Sequence, residues 1–403
     1  MPDSNHYDLI IVGGGILGAA TFFEFQKKYP NQRVLILEKE STLAAHQTGR
    51  NSGVMHSGVY YTPGSLKAEN CRKGLKLLNA FCKEYEIPYD NCGKLIVATR
   101  EDEISQLEQL KERGIENGLK GLELFDSKEA EEIEPYVECL KALYVPETGI
   151  VDYELVAKRL IEVGKEINPQ SEIKCNQEVY SFTKIGNSTT IHTATDTFQA
   201  NKVIFCTGLQ SDRFAEKDGI NLKVRVVPFR GDYYVLKPGA FHKVRNLIYP
   251  VADPNLPFLG VHLTRMMNGS IECGPNAVFS FEREGYQKFS IDLKDSKDAL
   301  NFIGTWKLFG KFWKYGVQEY YRAFSKRKFL KSLQEMVPSI QINDLGKQRA
   351  GVRAQVVGKD GNLVDDFLIE KGECGIHVIN APSPAATACL SIGKHIVDKL
   401  EEV

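Results

Sequence analysis

A glycine-rich segment near the start of the sequence has the spacing of a dinucleotide-binding turn. Residues 13–18, GGGILG, fit the pattern GxGxxG, and the acidic residue Glu38 follows 20 positions after the last glycine. In this pattern Gly13 allows a tight turn, Gly15 lets the backbone approach a pyrophosphate, and Gly18 lets a helix pack closely on a strand. Glu38 is placed to bind an unphosphorylated ribose diol. The pattern therefore predicts a site for one dinucleotide, either FAD or NAD.

The elements around this turn are those that such a site requires. Residues 7–12 form a short apolar run typical of a buried parallel strand, residues 16–29 predict a helix, and residues 33–38 predict a second buried strand. Together they predict a βαβ unit. No second GxGxxG occurs in the sequence, so we expect one dinucleotide per chain.

A long segment without periodicity follows this unit. Residues 39–66 are rich in Gly, Ser, Thr and His, and long loops in compact domains are usually functional. The central stretch, residues 46–58, is HQTGRNSGVMHSG. Its small residues would allow close approach to a flat redox-active ring, and its hydroxyls and amides could bind that ring. A polar surface loop would have the same composition, so at this point both interpretations stand.

The rest of the chain alternates between two patterns. Asp152 predicts the cap of a helix over 153–167, residues 224–281 are rich in short β segments separated by Gly, Pro and Asn, and residues 295–336 predict helices. The predicted fold class is α/β plus α+β: a Rossmann-like nucleotide-binding domain with an inserted antiparallel-sheet substrate domain. The expected boundaries are 1–90, 147–222 and 345–403 for the first domain, and 91–146 and 223–344 for the second.

Composition excludes several classes of protein. The 51 basic and 52 acidic residues give a net charge of −1, so no basic footprint for nucleic acid is present. The nine cysteines form no CxxC pair, which argues against a zinc ribbon, a thioredoxin motif and a disulfide scaffold, and we expect no metal site. No basic leader, mitochondrial leader or long apolar run occurs, so we expect a cytoplasmic, bacterial-type protein with reduced thiols.

Nine stretches of the sequence occur together, in the same order, in one group of enzymes. They are HQTGRNSGVMHSGVYYTPGSLKAENCRKG, CGKLIVA, TGIVDYELVA, VPFRGDYY, PFLGVHLT, GPNAV, AGVRAQ, DGNLV and NAPSPAAT. The chain resembles FAD-dependent oxidoreductases of the D-amino-acid oxidase type and, more narrowly, the L-2-hydroxyglutarate dehydrogenase family. The resemblance spans residues 8–392 and implies a two-domain flavoprotein that uses FAD to oxidise L-2-hydroxyglutarate to 2-oxoglutarate. Residues 301–331 match this family poorly.

The resemblance also implies which residues contact FAD. The residues expected at the ADP half are Gly13, Gly15, Gly18, Glu38 and Lys39, with Val179 at the adenine and Thr207 and Gly208 near the pyrophosphate. The residues expected beside the ribityl chain and the ring are Thr48, Asn51, Ser52 and Gly53. The residues expected over the pyrimidine edge of the flavin are Gly351, Ser383, Pro384, Ala385 and Ala386.

Oxidation of a 2-hydroxy acid needs a base for the hydroxyl proton and cations for the carboxylates. His56, in the long loop, is the first candidate for the base, because imidazole titrates near neutral pH. His262, within an apolar strand, is the second. Arg353 and Arg230 are the candidates for binding a carboxylate. The alternatives are structural histidines and surface salt bridges, respectively.

The electron acceptor is expected to be oxygen or a membrane quinone, since no NAD site is visible. Residues 306–331 hold both tryptophans, eight basic residues and one acid, a composition that suits peripheral contact with an anionic bilayer. The apolar positions in and around this segment also follow the 3–4 spacing of a core-facing stripe: Phe302, Trp306, Phe309, Trp313, Val317, Tyr320 and Phe324. The core interpretation is slightly favoured, because glycines at 304, 310 and 316 weaken a free interfacial helix.

Three alternatives to the implied activity are kept. The first is the same fold acting on another 2-hydroxy acid, a secondary amine or glycerol 3-phosphate. The second is a flavin-bearing sensor without turnover, and the third is a membrane-associated scaffold. A substrate panel separates the first from the implied activity, and anaerobic bleaching of the flavin separates the second.

Overall fold

The structure is a computed structural model that describes residues 5–253, 256 and 259–401. The strands are β1 (His6–Val12), β2 (Val34–Leu37), β3 (Val54–Met55), β4 (Tyr89–Asp90), β5 (Lys94–Ala98), β6 (Glu123–Phe125), β7 (Lys141–Val145), β8 (Gly149–Val151), β9 (Glu172–Lys174), β10 (Val179–Ile185), β11 (Ser188–Thr193), β12 (Thr197–Phe205), β13 (Val224–Leu236), β14 (Leu247–Pro250), β15 (His262–Arg265), β16 (Ile271–Gly274), β17 (Val278–Phe279), β18 (Leu345–Gly358), β19 (Leu368–Lys371) and β20 (Ile376–Asn380). The α-helices are α1 (Ile16–Lys28), α2 (Leu66–Glu84), α3 (Ile104–Glu116), α4 (Ser127–Ile133), α5 (Tyr153–Ile167), α6 (Ser211–Lys217), α7 (Leu293–Leu300), α8 (Ile303–Phe324), α9 (Lys326–Gln334) and α10 (Cys389–Lys399).

The first sheet has eight strands and contains the predicted βαβ unit. Its order is β10-β11-β12-β1-β2-β9, with β20 beside β12 and β19 beside β20. Strand β1 pairs in parallel with both β2 and β12, and β2 is buried along its whole length. Helix α1 packs against α5 and α10 on the sheet. The Rossmann-like half of the predicted fold is confirmed. It could be predicted because the apolar strand, the glycine turn and the helix follow one another directly in the chain.

The second sheet has nine strands, most of them antiparallel. Its order is β17-β13-β16-β15-β14-β5-β7-β6, and β18 pairs with β13. The exception to the antiparallel prediction is β14, which runs parallel to β5. Two separate segments of the chain therefore build one sheet, as expected for an inserted domain.

One predicted boundary needs a correction. Residues 345–358 were assigned by sequence to the nucleotide-binding domain, but they form β18, which pairs with β13 from Val224 opposite Gly358 to Leu236 opposite Leu345. The physical reason is that β13 is 13 residues long and its backbone groups need a partner along that length. The return of the chain to the first sheet therefore comes after residue 358, with β19 and β20.

The long loop after the βαβ unit is tied to a small third sheet. Residues 39–66 contain only the two-residue strand β3, as their composition predicted, and Val54 pairs with Ile150 of β8. Strand β4 completes this sheet on the other side of β8. The predicted cap of α5 is confirmed, since the Asp152 carboxylate accepts a hydrogen bond from the backbone N–H of Glu154 at 2.9 Å.

The aromatic-basic segment forms α8 and α9, and the core-stripe interpretation of it is wrong for several positions. The side chains of Trp306, Trp313, Val317 and Phe324 are exposed by 55–60%. The buried face of α8 consists instead of small and mixed residues: Gly304, Thr305, Leu308, Glu319 and Ala323. Among the described residues, no helix is both long enough and apolar enough to cross a bilayer.

Candidate active site

A cavity of about 1530 Å³ is lined by residues of both large sheets. Single small-molecule pockets are about 300–1,000 Å³, so this cavity has room for a dinucleotide and a substrate. All predicted FAD contacts except Gly18 and Gly53 line it. The sequence-predicted set is therefore brought together in space from four separate parts of the chain.

The glycine turn leaves open the space that a pyrophosphate needs. Gly13 has a φ of +110°, and a Cβ there would lie 2.3 Å from the carbonyl oxygen of Cys206. A Cβ on Gly18 would lie 2.0 Å from the carbonyl oxygen of Gly13, so Gly18 serves the packing of α1 on the turn rather than lining the cavity. A Cβ on Gly15 would have only Thr48 within 4 Å, so this glycine keeps the cavity itself clear.

Two side chains from outside the turn hold it in place. The Thr48 hydroxyl accepts a hydrogen bond from the backbone N–H of Ile16 at 2.9 Å, which satisfies a free N–H at the start of α1. The Glu38 carboxylate accepts from the backbone N–H groups of Gly14 at 2.8 Å and of Glu40 at 2.9 Å. Each carboxylate oxygen keeps a further lone pair, so Glu38 at the edge of the cavity can still accept from a ribose hydroxyl.

Lys39 belongs to a charge network rather than being a free cation. Its ammonium pairs with Glu284, and lies 3.4 Å from Glu40. The His46 ring connects the same groups, with Nε2 2.9 Å from Glu40 and Nδ1 2.6 Å from the Tyr286 hydroxyl. Ligand atoms of Glu40, His46 and Glu284 lie within 4.8 Å of one another. Lys39 offsets one of these two carboxylate charges, and the network connects the long loop to residues 284–286.

The ring end of the cavity is formed where the long loop meets β18. A Cβ on Gly351 would lie 2.4 Å from the carbonyl oxygen of Arg50, so the two segments touch through their backbones. Asn51 shapes the loop by donating to the carbonyl of Thr48 at 2.7 Å and accepting from the N–H of Gly53 at 2.7 Å. Residues 383–386 also line the cavity.

His262, in β15, has a defined tautomer. Its Nδ1 lies 2.9 Å from the carbonyl oxygen of Gly260; since a carbonyl only accepts, Nδ1 carries the proton and Nε2 keeps its lone pair. The ring stacks on Tyr249 at 3.9 Å between centroids. Burial lowers the pKa of His262 to about 3; the Gly260 hydrogen bond opposes this, and the charges of Arg353 and Lys94 add to it. A neutral imidazole whose Nε2 carries no proton therefore lines the cavity.

His56 lies at the same end of the cavity. Its backbone N–H donates to the Thr387 hydroxyl at 3.0 Å, which ties the loop to the segment before α10. Burial, and then the charges of Lys94 and Lys67, lower the pKa of His56 to about 3. Both candidate bases are therefore neutral at physiological pH.

The structure separates the two candidate arginines. We call the part of the cavity near His56 and His262 the histidine end. Arg353 lines the cavity, and its charge acts on Tyr233, Tyr249 and His262, so its guanidinium lies at this end. Arg230 does not line the cavity: its Nε donates to Asp232 at 3.0 Å, and a terminal nitrogen donates to the carbonyl of Gln287 at 2.6 Å. The structure thus places Arg353, but not Arg230, in the lining of the cavity, and Arg230 is bound to Asp232 within the second sheet.

Two lysines at the histidine end were missed by the sequence analysis. Lys94 is the first residue of β5, a strand buried at all five positions, and its side chain is 1% exposed. Burial lowers its pKa to about 7. Lys67 lines the cavity and lies 3.9 Å from Asp365, a side chain that is 83% exposed. One feature of the sequence could have indicated Lys94: it directly precedes the apolar run LIVA, and a charged side chain is rarely buried.

Comparisons with known proteins agree with this geometry. The family described as DAO, FAD dependent oxidoreductase, matches residues 8–399. The L-2-hydroxyglutarate dehydrogenase of Indibacter alkaliphilus is 47% identical over 388 residues, covering 96% of this chain and 97% of that protein. The mitochondrial L-2-hydroxyglutarate dehydrogenase of Homo sapiens is 42% identical over 414 residues, covering 99% of this chain and 89% of that protein.

Solved structures show the same fold. A dithionite-reduced L-alpha-glycerophosphate oxidase from Mycoplasma pneumoniae with FAD bound has a TM-score of 0.80 and 25% identity, covering 98% of this chain and 95% of that chain. A glycine oxidase from Geobacillus kaustophilus has a TM-score of 0.73 and 18% identity, covering 98% and 95%. The predicted fold class, the FAD cofactor and the oxidoreductase class are confirmed. The chain belongs to the DAO family of FAD dependent oxidoreductases, together with the L-2-hydroxyglutarate dehydrogenases that it matches.

Proposed function

We propose that this enzyme oxidises L-2-hydroxyglutarate to 2-oxoglutarate. The relatives that cover nearly the whole chain carry that activity in their names, at 42–47% identity. The observation that carries the proposal is that a neutral His262, whose Nε2 carries no proton, and Arg353 both line the cavity, with the charge of the arginine acting on the histidine. A histidine that can accept a proton and an arginine that can bind a carboxylate suit a substrate whose hydroxyl lies beside a carboxylate.

Each of the two side chains has a separate role in the reaction. FAD, when bound, accepts the C2 hydrogen and its two electrons from the hydroxy acid. The Arg353 fork binds and orients the C1 carboxylate, since its donors match a carboxylate bidentately. His262 takes the hydroxyl proton on Nε2, and the Gly260 carbonyl keeps that nitrogen unprotonated beforehand. This bond supports His262 over His56, for whose ring nitrogens no hydrogen bond is recorded among the described residues.

Anaerobic mixing tests the substrate. The yellow holoenzyme is mixed with L-2-hydroxyglutarate, with the D-enantiomer, and with L-lactate, L-proline and glycerol 3-phosphate in separate runs. We expect rapid bleaching of the flavin by L-2-hydroxyglutarate alone. Glycerol 3-phosphate is included because the glycerophosphate oxidase shares this fold at a TM-score of 0.80. Faster bleaching by any other member of the panel would overturn the proposal.

We further propose that the enzyme contacts the cytoplasmic membrane face and passes electrons to a quinone. Exposed apolar residues lie on α8, at the start of α7 and on the segment before α7. We call this set the aromatic-basic face: Phe289, Ile291, Leu293, Ile303, Trp306, Trp313, Val317, Tyr321 and Phe324, each exposed by 55–84%. The two parts touch, since the rings of Phe289 and Phe324 lie 5.9 Å apart. An apolar patch of this kind marks an interaction site.

Charge on the aromatic-basic face supports an anionic bilayer as its partner. Lys314 and Lys328 extend over the exposed rings of Trp313 and Tyr321, and Arg327 is exposed beside them. Each basic residue near anionic headgroups contributes about 1 kcal/mol. Aromatic rings and lysines on one exposed surface are the composition of interfacial segments.

Co-sedimentation with anionic vesicles tests this contact. The triple variant Lys314→Glu, Arg327→Glu, Lys328→Glu should bind at least about 10²-fold more weakly than the parent, since three favourable charges are lost. The matched control makes the same charge change at three exposed positions of α2, Lys73, Lys76 and Lys83. Equal binding by both variants, or no binding of the parent at low salt, would reject the contact. Turnover in air that needs neither vesicles nor quinone would assign oxygen as the acceptor.

A further inference from the structure

Lys94 is placed where a lysine is energetically unfavourable. Its side chain is 1% exposed, and it begins a strand whose other residues, LIVA, are all buried. Lysine is almost never fully buried unless it is paired, because a desolvated ammonium loses its hydration. Among the described residues, no carboxylate forms an ion pair with Lys94. A buried cation of this kind calls for a ligand that carries the missing negative charge.

The surroundings of Lys94 belong to the histidine end of the cavity. Its ammonium lies 4.6 Å from the ring centroid of Tyr60 and 4.9 Å from that of Tyr249, and both rings line the cavity. The titratable groups that its charge acts on are His56 from the long loop, His262 from β15 and the Cys71 thiol from α2. None of these three groups is an anion at neutral pH, since the histidines are neutral and burial raises the pKa of the Cys71 thiol to about 12.

Three cations of the cavity lining already have carboxylate partners. Lys39 pairs with Glu284, Arg213 with Asp298, and Arg225 with Glu216. A five-carbon dicarboxylate needs two cations, and Arg353 supplies one at its C1 end. Near the two histidines, Lys67 lines the cavity and lies 3.9 Å from its partner Asp365. Lys94 lies directly behind the lining rings of Tyr60 and Tyr249, without itself forming part of the lining.

We propose that Lys94 is a specificity-determining residue that pairs with the second carboxylate of the substrate and so selects dicarboxylates over 2-hydroxy acids with one carboxylate. This proposal rests on the proposed function, because the substrate class follows from it. The aromatic walls of Tyr60 and Tyr249 provide the cation-binding faces that hold the ammonium in place while the carboxylate is absent.

Binding of a dicarboxylate should then change the protonation of Lys94. In the free enzyme burial lowers the pKa of Lys94 to about 7, so at pH 8 most of the amine is neutral. A carboxylate beside it favours the ammonium and raises the pKa, so a proton is taken up on binding at pH 8. At pH 6 the amine is already protonated and little uptake is expected.

The kinetic test compares two substrates of equal carbon number. The ratio of kcat/KM for L-2-hydroxyglutarate to that for L-2-hydroxypentanoate should fall at least about 30-fold in Lys94→Met, because only the dicarboxylate loses a partner. Met replaces a buried charge by an apolar chain of similar length, so the variant should fold. Lys371→Met, at an exposed position of β19, is the matched control and should leave the ratio unchanged.

Three outcomes would overturn the proposal. The first is an unchanged ratio in Lys94→Met. The second is an equal loss on both substrates, which would assign Lys94 to proton transfer or to folding. The third is a ratio that falls in Lys67→Met but not in Lys94→Met, which would assign the carboxylate to Lys67.

A binding experiment gives a second measurement that does not depend on turnover. Calorimetric titration of the holoenzyme with glutarate, in two buffers of different ionisation enthalpy, should show uptake of about one proton at pH 8. Lys94→Arg should bind glutarate without uptake, because the guanidinium stays charged throughout. Uptake of the same size in both proteins would reject the role of Lys94. If L-2-hydroxyglutarate fails to bleach the flavin while glutarate binds with uptake, the proposed function fails and the carboxylate site stands.

Discussion

The imidazole Nδ1 of His262 donates to the carbonyl oxygen of Gly260 at 2.9 Å, two residues earlier in the chain. This short-range bond decides the tautomer of a histidine in the active-site cavity. It leaves Nε2 as an acceptor, and the low pKa caused by burial keeps the ring neutral. The local backbone thus prepares a proton acceptor before any substrate arrives.

His262→Asn should lower the rate of anaerobic flavin reduction by L-2-hydroxyglutarate about 10²–10⁴-fold, the usual contribution of a general base. His56→Ala should have a smaller effect. The control is His395→Ala, at an exposed position of α10. A parental rate in His262→Asn together with a large loss in His56→Ala would move the base to His56. Stopped-flow absorbance of the flavin measures all three.

Arg353→Lys should raise the KM for L-2-hydroxyglutarate and lower kcat, together at least about tenfold in kcat/KM, because a point charge cannot replace a bidentate fork. Arg230→Lys is the contrasting variant, since Arg230 pairs with Asp232 away from the cavity. It should change thermal stability while leaving KM near the parental value. If the two variants had the same KM, the carboxylate would not bind at Arg353.

Gly15→Val should give a folded but colourless protein. Only Thr48 lies within 4 Å of the added Cβ, so the chain itself tolerates the change, whereas the side chain fills the space for the pyrophosphate. Gly18→Val should instead fail to fold, because its Cβ would lie 2.0 Å from the Gly13 carbonyl oxygen. Far-UV circular dichroism and FAD content per chain distinguish the two; FAD retained by Gly15→Val would refute the placement.

The dependence of kcat/KM on pH should have a falling limb above about pH 7. The pKa of Lys94 is lowered to about 7, so the ammonium that pairs with the second carboxylate is present below that pH and is lost above it. The histidines are not expected to cause this limb, because their pKa of about 3 leaves them neutral from pH 5 upward. Lys94→Arg should move the limb to higher pH; a limb that stays in place would have another origin.

The nucleotide half of the site could be predicted because its signals are local. A turn with φ of +110° at Gly13 requires glycine, and the neighbouring strand and helix follow directly in the chain. The spacing from Gly18 to Glu38 is one βαβ repeat, so the acid at the end of β2 reaches the turn, where it accepts from Gly14. Residue type and separation were sufficient here, since each partner lies within a few dozen residues.

The substrate end depended on contacts between distant segments. Arg353 and Arg230 look alike in sequence, and only the pairing of β13 with β18 places one at the cavity and the other against Asp232. The 3–4 spacing in α8 is the same for a core face and a surface face, and packing of Gly304 against Gly358 decided which side turned inward.

The sequence by itself determined the dinucleotide turn, the alternation of strands and helices, and the family, because these depend on local conformation and on residue order. The tertiary structure alone decided that Lys94 is buried, that His262 and His56 share one cavity with Arg353, and that the tryptophans of α8 are exposed. The physical reason is that burial and electrostatic coupling depend on distances between segments far apart in the chain. No periodicity within one segment carries that information.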